Sequence, residues 1–121
     1  MSPRRIKLFI ITSIAALVVT LPAHACSCAR SSQAQAIKSS DVVFQGRVVD
    51  VRREKGKLFA TLTVVRPIKG NVRTNVEVGT RAQSASCGYP FRRGQVLIVG
   101  ARFSQRQYTT NMCLMFSLNK N

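Results

Sequence analysis

The chain has 121 residues, 19 of them Lys or Arg against four Asp or Glu, giving a formal net charge of +15, with one histidine, no tryptophan and four cysteines. If residues 1–25 are removed as argued below, the only histidine, His24, leaves with them, so Ser-His-Asp and Cys-His catalysis lack their base and a histidine zinc site cannot form. The four acids, Asp41, Asp50, Glu54 and Glu77, are scattered and offer no acid–base pair, so the composition argues against an enzyme and calls for no cofactor.

Residues 1–25 read as a cleaved signal peptide. Arg4, Arg5 and Lys7 make a positive start. Leu8 to Leu21 is apolar apart from Thr12, Ser13 and Thr20, and Pro22 leads into Ala23-His24-Ala25, an A-x-A site that puts the cut before Cys26. The apolar run is shorter than the ~20 residues a bilayer-spanning helix needs, which speaks against an uncleaved anchor. A lipoprotein signal with a lipidated Cys26 fits less well, because Ala23 stands where such signals usually carry Leu. The exported chain, secreted or periplasmic, is then a single domain over residues 26–121.

In chain order, Ser31 to Ser40 suits a short helix capped by Ser31 or Ser32 and ending near Lys38. Asp41 to Arg52 reads as a first strand, with Gly46 marking a bulge or tight bend. Glu54 to Lys57 is a turn, and Leu58 to Val65 is a second strand ended by Arg66-Pro67. Lys69-Gly70-Asn71 turns into a third strand, Val72 to Val78. Thr80 to Ser86 reads as loop, and Cys87 to Gly94 as a turn-rich connection. Gln95 to Phe103 is the most apolar strand, and Gln107 to Met112 is a short last strand delivering Cys113. The tail from Leu114 carries no clear signal. Phe44, Phe59, Phe91 and Phe103 are expected in the core. Five short strands with hairpin spacing and a mid-strand glycine suit an all-β, five-stranded closed barrel of the oligonucleotide/oligosaccharide-binding (OB) type. Five strands are few for the alternative, a β-sandwich.

The cysteines, Cys26, Cys28, Cys87 and Cys113, all fall after the cut and read as two disulfides of a small exported domain. A Cys26–Cys28 bond would close a strained ring. Both remaining pairings staple the Cys-x-Cys start to the sites of Cys87 and Cys113, at roughly 2–4 kcal/mol per bridge. A redox pair or a four-cysteine zinc site is weaker in an oxidising compartment. The basic residues cluster at Arg52, Arg53, Lys55 and Lys57 on one hairpin tip and at Arg92-Arg93. With a pI near 11.3, they predict attraction to anionic polymers or membrane surfaces: acidic glycans, anionic lipid headgroups or nucleic acid. No interleaved aromatic stripe for base stacking is visible.

One ordered set of segments ties these pieces together. Cys26-Ser27-Cys28 is followed by Asp41-Val42-Val43-Phe44-Gln45-Gly46-Arg47-Val48, then Val65-Arg66-Pro67-Ile68-Lys69-Gly70 and Cys87-Gly88. Phe91-Arg92-Arg93-Gly94-Gln95-Val96-Leu97-Ile98-Val99 and Asn111-Met112-Cys113 complete it. This order resembles the netrin-like domain family, and within it the N-terminal domain of tissue inhibitors of metalloproteinases. The chain looks like one of the short bacterial members. The exported domain is expected to be a monomer; the resemblance implies an OB-type barrel and bridges Cys26–Cys87 and Cys28–Cys113. It also implies a partner, a zinc metalloprotease, whose catalytic metal the free α-amine and carbonyl of Cys26 would chelate in trans. Ser27 would point into the protease's specificity pocket, and Cys28 would anchor the wedge. The chain departs from the family pattern in three ways. It has two bridges where the animal domain has three, Ala29-Arg30-Ser31-Ser32 replaces a proline-rich ridge, and a short hairpin tip at Glu54 to Lys57 leaves out a contact arm.

Overall fold

A computed structural model of the protein describes residues 15–17, 26, 28 and 32–117. The predicted cleavage site at 23–25 and Ser27 lie outside the described residues. Among the described residues no helix is long and apolar enough to cross a membrane.

The chain enters the domain through a single helix, α1 (Gln33–Ser39). Ser32 caps it, its Oγ accepting from the Gln35 amide at 3.1 Å, which satisfies one of the amides a helix leaves unpaired at its start. Lys69 serves the other end, where its Nζ donates to the carbonyls of Ile37 at 2.9 Å and Ser40 at 2.6 Å. A positive charge at the last turn also complements the helix dipole.

Six strands follow: β1 (Val42–Glu54), β2 (Lys57–Lys69), β3 (Asn75–Arg81), β4 (Val96–Ser104), β5 (Gln107–Thr109) and β6 (Met115–Ser117). The first two form a long antiparallel hairpin that reverses through Lys55-Gly56, both in left-handed backbone conformation (φ 46° and 74°). A two-residue turn of that hand matches the right-handed twist of the flanking strands. In the sheet β1 neighbours β2, β2 neighbours β3, β3 runs parallel to β5, β5 pairs β4, and β4 returns to β1. The result is a closed five-stranded barrel of the OB type with β6 added as an extra strand on β4.

Closure depends on β1, which serves two neighbours. Val42 to Arg47 pair with β4, while Val43 to Glu54 pair with β2. A strand shared in this way must curl, and its register against β2 shifts at Val43/Phe44, Gln45/Gly46 and Val48/Asp50. Gly46 sits at the middle shift. A Cβ there would come within 2.9 Å of the Phe44 ring, so the bend expected at this glycine is also a close approach.

The inward faces bury Phe44, Val48, Ala60, Leu62, Val76, Val78, Phe91, Leu97 and Val99 in one cluster. Full burial of a side chain such as Leu62 is worth roughly 1.5–3 kcal/mol. The unbroken apolar run of β4 has its own cause. Its inward residues fill the barrel, while its outer face is covered: a Cβ on Gly100 would strike the Ser40 Oγ at 2.5 Å and the Leu114 carbonyl at 2.8 Å.

Several expectations are corrected. Pro67 does not end β2, which runs on to Lys69. Pairing with β3 begins at Thr63↔Asn75, so beyond Thr63 β2 has only β1 as a partner strand, and a proline costs least along such an edge. The third strand starts at Asn75 rather than Val72 and takes in Thr80 and Arg81, which Leu58 and Lys57 of β2 pair. The hairpin tip is tight as expected, closing at Glu54↔Lys57, but the arms run longer than the sequence suggests, 13 residues each. The last barrel strand ends at Thr109, and the tail supplies β6, with Ile98↔Phe116 and Val99↔Met115 in register. Phe44 and Phe91 are buried, but Phe59 is half-exposed on the barrel wall and Phe103 is 53% exposed. Phe103 lies past the last core position of β4, tilted against Tyr108 with ring centroids 4.9 Å apart.

Candidate functional site: the stapled segment at Cys26 and Cys28 and an adjoining cationic groove

Two bridges hold the start of the domain. Cys26 is bonded to Cys87, with Cα atoms 4.9 Å apart, and Cys28 to Cys113, with Cα atoms 5.3 Å apart. Of the two pairings left open by the residues alone, this is the one the family resemblance implies. No free cysteine remains, so there is no thiol for redox chemistry or zinc binding, although the sulfurs of Cys26, Cys28 and Cys113 lie within 4.8 Å of one another. Two disulfides are consistent with an oxidising, extracellular compartment.

Local chemistry brings the two receiving cysteines together. Ser84–Ser86 form one turn of 3₁₀ helix, and Cys87 ends it in a left-handed conformation (φ 67°), its amide donating to the Ser84 carbonyl at 3.0 Å. The Cys87 carbonyl then accepts from the Met112 amide at 2.8 Å, which places it beside Cys113. Met112–Leu114 form a second turn of 3₁₀ helix capped by Asn111, whose Oδ1 accepts from the Cys113 amide at 2.9 Å. The next residue must be glycine: a Cβ on Gly88 would lie 1.8 Å from the Arg81 carbonyl oxygen. The Cys-Gly pair thus packs directly on the end of β3.

Next to this staple a groove of about 710 Å³ opens on the outside of the barrel. Its floor is the Phe59 ring, the Gly79 backbone and Thr109, three positions aligned across β2, β3 and β5 by the pairs Phe59↔Gly79 and Gly79↔Thr109. The hairpin tip, Lys55 to Lys57, forms one wall, and Gln83, Ser86 and Cys87 line it on the side of the staple. Thr80, Arg81, Gln107, Thr110 and Asn111 complete the lining, and no acidic residue is among it. The Ala82 amide donates to the Gly56 carbonyl at 3.0 Å, which fixes the tip relative to the end of β3. Phe59 is held in turn, since the Arg52 guanidinium lies 4.4 Å from its ring centroid.

The basic residues singled out in the sequence therefore divide. Lys55 and Lys57 line the groove. Arg52 does not. It is engaged by Glu54 and Glu77, the ion pairs seen among the described residues, and these carboxylates hold its guanidinium above its ordinary range against an opposing desolvation. Arg53 is exposed on the same hairpin. Arg92 and Arg93 are not in the groove lining, and the Arg93 Nε donates to the Val49 carbonyl of β1 at 2.9 Å. Arg81, Phe59 and Gln107 join the site unforeseen. Arg81 reaches the hairpin tip through its pairing with Lys57 across β2 and β3, Phe59 stands two residues along β2 from that tip, and Gln107 is brought in by the parallel contact of β3 with β5. Cys26 and Cys28 are half-exposed at the staple.

The fold and site define a small disulfide-bonded OB-type barrel with a doubly bridged segment at Cys26 and Cys28 beside a cationic groove. No protein-family model matches the chain, and no curated protein matches it.

Proposed function

We propose that the exported form of this protein, beginning at Cys26, is an inhibitor of zinc endopeptidases that acts through its own N-terminus. The observation that carries the reading is the pair of bridges on one short segment, Cys26 to Cys87 and Cys28 to Cys113. They tie both ends of a three-residue segment to the barrel, so little conformational entropy is left to lose when it enters a partner's cleft. Cleavage before Cys26 would free an α-amine, and an α-amine with a pKa of about 7.7–8.0 offers a neutral lone pair near physiological pH. The amine and carbonyl oxygen of one residue close a five-membered chelate on a metal. On the open position of a catalytic zinc they displace the water that the metal activates. Ser27 follows as the side chain nearest the protease's specificity pocket. The resemblance to the inhibitor family supports the same roles.

The test is inhibition of a panel of zinc endopeptidases by protein shown by mass spectrometry to start at Cys26, beside a matched sample with one additional N-terminal alanine. The extra residue turns the amine into an amide, so inhibition is expected from the first sample and not the second. It is also expected to tighten as pH rises through about 7.7–8.0, where the amine loses its proton. Equal inhibition by both samples, or none by the first with both bridges intact, refutes the reading.

A further inference from the structure

We propose that the cationic groove is a binding site for an acidic oligosaccharide. This goes beyond the inhibitor reading and does not depend on it. The charge is one-signed: Lys55, Lys57 and Arg81 line the groove, no carboxylate does, and both ion pairs among the described residues belong to Arg52. Four of the basic residues have structural partners elsewhere, Lys69 and Arg102 at the end of α1, Arg93 on β1 and Arg52 on its two glutamates. The groove cations have none, so their charge is available to a ligand.

The remaining lining selects among anions. A bare phosphate or a polyelectrolyte held by charge alone would need neither a ring nor amides. Here a single half-buried aromatic ring, Phe59, which the Arg52 guanidinium also approaches to 4.4 Å from its centroid, lies on the floor beside a glycine backbone, with Gln83, Gln107 and Thr109 around it. One apolar face ringed by amides and hydroxyls suits a sugar ring, whose C–H face is apolar and whose edge is a row of hydroxyls. Uronic or other acidic substituents then meet the guanidinium and ammonium groups, Arg81 as a two-pronged partner of a carboxylate. Single-stranded nucleic acid would be served by several stacking platforms along a basic track, and this groove has one. Its volume of about 710 Å³ lies within the range of small-ligand sites.

The experiment titrates the disulfide-intact domain with a galacturonic acid tetrasaccharide and follows the backbone amide NMR spectrum. A neutral glucose tetrasaccharide and an octathymidylate serve as comparison probes. Binding by the acidic tetrasaccharide, with shifts centred on Gly79, Arg81, Gln107 and Thr109, is expected from the unaltered protein. Lys57→Gln with Arg81→Gln should weaken it about tenfold or more. Phe59→Leu, which changes no charge, should weaken it about threefold to tenfold, whereas Arg66→Gln with Arg73→Gln, equal in charge removed but outside the groove, should cost less than about threefold. Equal losses in the two charge-matched pairs, with Phe59→Leu silent, would show diffuse polyanion attraction and overturn the site. Octathymidylate binding the groove more tightly than the tetrasaccharide would overturn the ligand class. Shifts centred away from β3 and β5 would overturn both.

Discussion

Removing one disulfide should cost less than removing the second, because the two bridges share a ring. Taken alone, Cys28–Cys113 spans 85 residues and Cys26–Cys87 spans 61. In the loop-entropy relation such loops correspond to about 4.6 and 4.3 kcal/mol at 25 °C. With Cys26–Cys87 already in place, however, the shortest ring closed by the other bridge is far smaller. It runs from Cys28 back to Cys26, across the bond to Cys87 and on to Cys113, about 28 residues, for which the same relation returns about 3.6 kcal/mol. Replacing Cys28 and Cys113 by serine should therefore cost about 3.6 kcal/mol, and so should replacing Cys26 and Cys87; the bridge that remains is then worth about 4.3–4.6. Urea unfolding reads both quantities. With a slope of about 1–3 kcal/mol/M for a small domain, a single removal should lower the midpoint by between about 1 and 4 M. The slope itself should steepen as the unfolded chain is released from its cross-links. A first removal costing more than the second, or less than about 1 kcal/mol, would refute the shared-ring account.

Gly88→Ala should be among the most destabilising single substitutions at the staple, because its Cβ would overlap the Arg81 carbonyl oxygen and only backbone movement relieves that. A loss of about 2–3 kcal/mol in urea unfolding is expected, and a loss under about 0.5 would show that the Cys87-Gly88 turn is free to shift. The Tyr89 phenol is pushed above its ordinary value of 10.0 by burial, since the folded state disfavours the charged phenolate. Its folded pKa exceeds its unfolded one, so this contribution to stability is intact below about pH 10 and is lost as pH rises through the folded value. Tyr89→Phe should flatten the alkaline decline in stability, checked by urea unfolding across the alkaline range. An alkaline decline as steep in the variant as in the unaltered protein would contradict the assigned cause.

Much of the barrel was legible because its signals are local. Ser32 before a run of helix formers, Lys55-Gly56 between two β-branched runs, and alternation from Leu58 to Leu62 each act over a few residues. The failures share a different cause. Pro67 reads as a terminator until the sheet order shows that it lies where β2 has lost one neighbour strand. Phe103 looks like core in the strand Gln95 to Phe103, and the barrel simply ends before it. β6 has no periodicity over three residues and exists because β4 leaves a side free to pair. The groove was half visible: the hairpin lysines announce themselves, but Arg81 seemed to sit in a loop. Its place beside them depends on Lys57↔Arg81 pairing across a register that no local pattern specifies.

The bridge from Cys28 to Cys113 also decides where a pull on this molecule would be felt. With Cα atoms 5.3 Å apart, these residues stand at the gate through which the chain enters and leaves the barrel. Tension applied to the segments outside them passes through a covalent link, and the strands from β1 to β5 carry none of it. Stretched between its two ends under oxidising conditions, the chain would lengthen only by what lies outside the bridge. The same pull under reducing conditions would open the barrel and release the whole intervening contour.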